Sequence, residues 1–227
     1  GRPGWHIECS AMTHSTFGDS LDIHSGGVDL KFPHHTNEVA QCEAHNDRDG
    51  WVRYWMHTGH LYIKGAKMSK SLKNFISIRD YMEAGLSSQP ATDLRLFFLS
   101  HKYHASLHFS EERIHEAAAL RRKLNTFLAG VKNAVAGVEQ SAVEGDEAEG
   151  SRQVSRPCPE SRSLLRALSS ARKAVTNAYA NDFDTAEALR ITSRLSSEAS
   201  KYLTASQINH ALPIEPLQAT SKFIGDT

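Results

Sequence analysis

The chain has 227 residues, 26 Lys and Arg against 26 Asp and Glu, and a hydrophobic fraction of 40%, a globular profile with room for one large domain or two small ones. No apolar run approaches the roughly 20 residues of a membrane span and no leader-like segment opens the chain, so a cytosolic address without a membrane partner is expected. Zero formal net charge argues against retention on nucleic acid by bulk electrostatics, and three cysteines at positions 9, 42 and 158 cannot form a disulfide framework, which leaves ligand or nucleophile as a special role for any of them. The start Gly1-Arg2-Pro3-Gly4, without an initiator Met, is expected of a piece of a longer protein.

Residues 1 to about 66 read as short β-type runs with Gly-rich turns, such as Leu21 to His24 leading into a loop at Ser25-Gly26-Gly27. Pro33 is expected to open a helix through Cys42, because Pro is favoured at the first helical position. Trp51 to His57 and Leu61 to Ile63 read as two further strands. After Pro90 the pattern turns helical, with Leu94, Phe97 and Phe98 forming an apolar stretch. Ser110 precedes an acid-rich first turn, and Ile114, Ala117, Ala118, Phe127, Leu128, Val131 and Val135 recur at helical spacing. Between 137 and 163 no periodic apolar face exists, which predicts a flexible insertion with Cys158 as an exposed bystander. Leu164, Leu165, Leu168, Ala171, Val175 and Ala178 mark the next helix. Asp184 and Glu187 have capping-box spacing before an apolar stripe at Leu189, Leu195, Ala199 and Tyr202, and 213 to 227 suits one more short helix.

Two constellations carry chemistry. In Pro33-His34-His35-Thr36-Asn37-Glu38 the residues His34 and Glu38 stand four apart on one helix face. Imidazole plus carboxylate is half of a zinc site, and Cys9 supplies a plausible thiolate from a distant segment. An ordinary His–Glu pair with Cys9 as a small buried hydrophobe accounts for the same residues. The second constellation is Lys67-Met68-Ser69-Lys70-Ser71, within a stretch from Trp51 to Arg79 that holds six basic residues and no Asp or Glu. Cations and hydroxyls on a loop suit a polyphosphate whose charge grows in a transition state, although most such strings are solvated surface. Eight of the 13 histidines lie in the first 60 residues, which makes the front third the chemical part.

The KMSKS string followed by Leu72-Lys73-Asn74-Phe75 resembles the second signature of class I aminoacyl-tRNA synthetases. GRPGWHIECSAM and DIHSGGVDLKFPHHTNEVAQ are similar to the second half of the catalytic domain of cysteinyl-tRNA synthetases, closely over roughly the first 110 residues and more loosely beyond. The resemblance implies an α/β fold, the second half of a Rossmann-like nucleotide-binding domain, over 1–66, a KMSKS and stem-contact-like linking region over 67–109, and an all-α helical bundle over 110–227. It implies one Zn2+ held by Cys9, His34 and Glu38. A fourth ligand cysteine and the HIGH-type ATP signature would lie upstream of Gly1. It implies ATP with Mg2+ at Lys70 and Lys67, the catalytic cations, together with Ser69, Ser71, Gly26 and Gly27. Asp29 would face the substrate ammonium, Trp5 would be an aromatic wall, and His24 would line the amino-acid pocket, with His6 and His35 crowding the same site. The implied activity is ligation of cysteine to tRNA(Cys) through a cysteinyl adenylate. A related cysteine:sugar ligase and a non-catalytic zinc-binding fragment are the alternatives.

Overall fold

A computed structural model describes residues 3–144, 158–208 and 212–227. Contacts divide the chain into two compact units, one of Gly1–Ile76 with Tyr103–Ser110 and one of Ser77–Lys102 with Glu111–Thr227. The stretch expected to link two domains is thus shared out: the KMSKS loop belongs with the first unit and the helices after it with the second.

In the N-terminal unit, helix α1 spans Trp5–Phe17, where β-type runs and turns were expected. No apolar stripe announces it, since Trp5, Ile7, Met12 and Phe17 are all exposed and Ser10 is its buried residue. Strand β1, Leu21–Gly27, pairs in parallel with β2, Val52–Thr58, in the register Leu21↔Val52 to Gly27↔Thr58. Gly26 and Gly27 are therefore strand residues rather than the expected loop. Helix α2, Thr36–Asn46, makes the crossover that a parallel pair requires. It begins three residues later than the expected start at Pro33, because Phe32 is extended (φ −141°, ψ 132°) and the chain passes through a wide turn over Lys31–His35 first. A second sheet has the order β4-β3-β5, from Leu61–Ile63 (β3), Ala66–Lys67 (β4) and Leu107–Phe109 (β5). Lys64 and Gly65 both take positive φ in the two-residue turn between β3 and β4, as a tight hairpin demands. Gly59 is compulsory, because a Cβ there would sit 2.0 Å from the Ala105 carbonyl oxygen.

The helical unit contains α3 (Ile78–Glu83), α4 (Pro90–Leu99), α5 (Glu111–Glu144), α6 (Pro159–Ala180), α7 (Thr185–Ile208) and α8 (Glu215–Asp226). The expected apolar positions Phe127, Val131, Leu164, Leu168, Ala171, Leu195, Ala199 and Tyr202 meet in one core with Leu217 and Ile224 of α8. Leu165 is an exception and faces solvent, 41% exposed. The flexible insertion expected at about 137–163 is helical at both ends, where α5 runs on to Glu144 and α6 starts at Pro159; its middle, 145–157, lies outside the described residues. Cys158 is no bystander. It is the N-cap of α6, and its Sγ accepts from the Ser161 amide at 3.3 Å. Asp184 accepts from the Glu187 amide at 3.1 Å, as its spacing predicts. No helix among the described residues is long and apolar enough to cross a membrane.

Candidate functional site

The chemistry-bearing side chains of the N-terminal unit converge on Glu38. Its position in the first turn of α2 points the side chain back over the preceding turn, where His34 and His35 stand. Glu38 is fully buried, and His34 and His35 are 5% and 4% exposed. From α1, Cys9 joins them: one donor atom each from Cys9, His34 and Glu38 lies within 4.8 Å of the others. A second group, His24, His35 and Glu38, meets the same condition and shares the carboxylate. The three residues singled out as ligands are thus brought together, although Cys9 and His34 are 25 positions apart.

The two carboxylate oxygens of Glu38 are treated differently. Oε2 is 2.8 Å from His24 Nε2, which reaches across from β1. Oε1 is buried and has no hydrogen-bond partner among the described residues; His34 Nε2 stands 3.5 Å from it. The other nitrogen of His34, Nδ1, is 2.7 Å from His6 Nδ1, so one of the two rings donates there. If His34 donates to His6, its Nε2 turns a lone pair toward the unpartnered oxygen. An acceptor and an anionic oxygen facing one another in a buried place are costly without a cation between them. Burial and then the charge of Glu38 push the Cys9 thiol above its ordinary range.

Aromatic rings close the site. Trp5 is 59% exposed, with its ring centroid 4.4 Å from that of His34. His35 Nδ1 pairs with His57 Nε2 at 2.8 Å, and burial followed by the His24 charge lowers His35 to about 4, so its ring is neutral near pH 7. His57 was given no role in the sequence; the signal for it was the period-two spacing with Trp55, whose ring lies parallel to its own (6°). His14 and His45 pair with each other edge to face. Gly26 lets the His35 ring approach β1, because a Cβ would lie 2.8 Å from His35 Cε1, and a Cβ on Gly27 would lie 2.6 Å from Asp29 Oδ1. The space in front of both glycines is therefore filled by the protein's own side chains.

The basic loop reaches this region through Lys67, whose ammonium is 2.9 Å from Asp29 Oδ2, with His60 Nε2 3.8 Å from Oδ1. The Lys67 hydrogen bond is the main reason that the Asp29 carboxyl lies below its usual range. Asn74 shapes the rest of the loop: its Oδ1 accepts from the Ser69 amide at 2.9 Å, and its Nδ2 donates to the Lys67 carbonyl at 3.0 Å. Ser69 and Ser71 share a hydroxyl contact of 3.1 Å. Lys70 is exposed, and its ammonium has no ion-pair partner among the described residues. Asn74 was legible only as part of the quoted string. Its role as the tie across the loop is set by tertiary structure.

Comparison with known proteins bears on this geometry. Residues 1–119 match the family described as "tRNA synthetases class I (C) catalytic domain". A relative from Xenopus laevis named "Cysteine--tRNA ligase, cytoplasmic" is 54% identical over 133 residues, which are 59% of this chain and 17% of that protein. The protein of the same name from Drosophila pseudoobscura pseudoobscura is 43% identical over 203 residues, 89% of this chain and 26% of its own length. The chain therefore spans about a sixth to a quarter of the curated relatives it matches. The fold is similar to that in the LeuRS-tRNA-LeuAMS ternary complex of Agrobacterium radiobacter, with a TM-score of 0.61 at 15% identity over 89% of this chain and 25% of that one. The match over residues 1–119, together with relatives above half identity, shows that the chain belongs to the class I tRNA synthetases of the cysteine type.

Proposed function

We propose that the chain is part of a cytoplasmic cysteine–tRNA ligase. The enzyme activates cysteine with ATP, releases pyrophosphate, and passes the acyl group from the adenylate to the terminal adenosine of tRNA(Cys). The N-terminal unit would be the second half of a Rossmann-like nucleotide-binding domain, followed by the KMSKS linking region and a tRNA-facing helical bundle. The observation that carries this reading is the convergence of Cys9, His34 and Glu38 around an unpartnered buried oxygen, in a chain whose relatives are named for cysteine.

Sulfur, imidazole nitrogen and carboxylate oxygen form a donor set that suits Zn2+, and Glu38 Oε1, buried without a hydrogen bond among the described residues, fits such an ion. Cys9, His34 and Glu38 would hold the ion, and when bound it supplies a soft Lewis acid that takes the substrate thiol as thiolate, which a serine hydroxyl cannot match. Specificity would then exceed the ~1–3 kcal/mol that one methylene of pocket shape provides. Trp5 and His24 border the same site. Asp29 would receive the substrate ammonium. Lys67 Nζ now stands where such an ammonium would sit, in a half-exposed pair worth about 1 kcal/mol at most and so easily exchanged.

Lys70, exposed and without an ion-pair partner among the described residues, would meet the phosphates of Mg2+-bound ATP, supported by the Ser69 and Ser71 hydroxyls, whereas Gly26 and Gly27, faced by His35 and Asp29, would not touch the nucleotide. A cysteine:sugar ligase is not favoured, since the relatives carry the tRNA ligase name and the helical unit continues well past the basic loop. The test is cysteine-dependent ATP–pyrophosphate exchange, with the chain set in a polypeptide of its relatives' length. Exchange with cysteine and not serine is expected; none with cysteine overturns the reading.

A further inference from the structure

Glu38 can offer a single oxygen to an ion only if the plane of its carboxylate is held. The last torsion of a glutamate side chain is broad, so burial alone does not fix whether one oxygen or both would meet an ion beside His34. One contact does. His24 Nε2, on β1, meets Oε2 at 2.8 Å, while Oε1 is left without a partner among the described residues. The His24 ring is also held by packing, with Trp55 edge-on at 5.0 Å and His35 at 4.6 Å. His24 belongs with His35 and Glu38 to the second group, and its near nitrogen meets Oε2 rather than Oε1, the oxygen that His34 Nε2 faces at 3.5 Å.

We propose that His24 is a positioning residue for the metal: it donates Nε2–H to Glu38 Oε2, holds the carboxylate in one rotation, and so presents Oε1 to the ion as a single-oxygen ligand. This rests on the metal reading above. It moves His24 from the amino-acid pocket to the support of a ligand, and it explains why a strand residue 14 positions from Glu38 is aimed at it. Outer groups that orient ligating carboxylates typically alter metal affinity by about 10–100-fold.

The experiment measures Zn2+ affinity, by competition with a chromophoric chelator, and the visible spectrum with Co2+ for the unaltered protein, His24→Leu, His24→Gln and His24→Asn. Gln extends an N–H donor toward Oε2, Leu fills space without one, and Asn falls short by one methylene. The expected result is Zn2+ binding about 10–100-fold weaker in His24→Leu, near-normal binding in His24→Gln, and a Co2+ spectrum in His24→Leu changed toward higher coordination as both carboxylate oxygens reach the ion. Equal affinity and an unchanged spectrum in His24→Leu would overturn the proposal alone, as would His24→Gln binding as weakly as His24→Leu. If circular dichroism shows that His24→Leu does not fold, Gln against Asn decides by the same criterion. An unaltered protein that takes up neither ion overturns the metal reading, and this inference with it.

Discussion

Among the described residues each unit buries one carboxylate completely, and the two are handled in opposite ways. In the helical unit, Asp93 of α4 meets Arg121 of α5 in a two-pronged pair, with Nε 2.6 Å from Oδ1 and Nη2 3.2 Å from Oδ2. In the N-terminal unit, Glu38 has a histidine hydrogen-bonded to one oxygen and, among the described residues, no hydrogen bond to the other, which His34 Nε2 faces at 3.5 Å. A carboxylate closed by a cation from its own chain serves packing between two helices. One left half open, among a thiol and imidazoles, fits the proposed metal site, where a cation from outside would complete it. Burial is the same in both places, so the state of the second oxygen separates architecture from chemistry.

The comparison breaks most readily at Arg121. Replacing it by Met leaves Asp93 buried and uncompensated, and the helical unit should lose about 3–5 kcal/mol in urea unfolding followed by far-UV circular dichroism; adding Asp93→Leu should restore most of it. A double variant no more stable than Arg121→Met would mean that the pair is not the source of the loss. Next in size is Lys70→Ala, tested in the assembled enzyme. Pre-steady-state adenylate formation should slow about 10²–10³-fold with little change in cysteine affinity, and Lys67→Ala should slow it less. A normal adenylation rate with weakened cysteine binding would leave Lys70 as solvated surface.

Glu38→Gln sharpens the contrast from the other side. It should weaken Zn2+ binding by about 100-fold or more while leaving the unfolding midpoint of the metal-free protein unchanged or raised, because a buried charge that is hydrogen-bonded through only one oxygen is removed. A large loss of metal-free stability would make Glu38 architectural, like Asp93. The smallest effect is in acid. Burial pushes the Asp93 carboxyl up, but hydrogen bonds from Arg121 more than offset this and hold it below the usual range. Its folded value is thus below its unfolded value of about 3.9. The pair's contribution is present above that pH and is lost as pH falls through the folded value, so the unfolding midpoint should drop below about pH 4 and the drop should be shallower in Asp93→Asn.

Much of the molecule follows from sequence alone. The bundle's apolar positions were legible because a stripe such as Leu164, Leu168, Ala171, Val175 and Ala178 is decided by helical period, and all five are buried. The His34–Glu38 pair was legible for the same reason, being one turn apart. The strings that hold Cys9, His34, Glu38 and the basic loop were readable as family strings, and the matched family bears out the family resemblance over residues 1–119. Tertiary structure decided what depends on distance between segments. Helix α1 has exposed apolar residues spread along it, so no periodic face announces it. The contacts of His24 with Glu38, Lys67 with Asp29 and Arg121 with Asp93 span 14, 38 and 28 positions. None has a local signature, because period fixes which side chains share a face while only packing between elements fixes which faces meet.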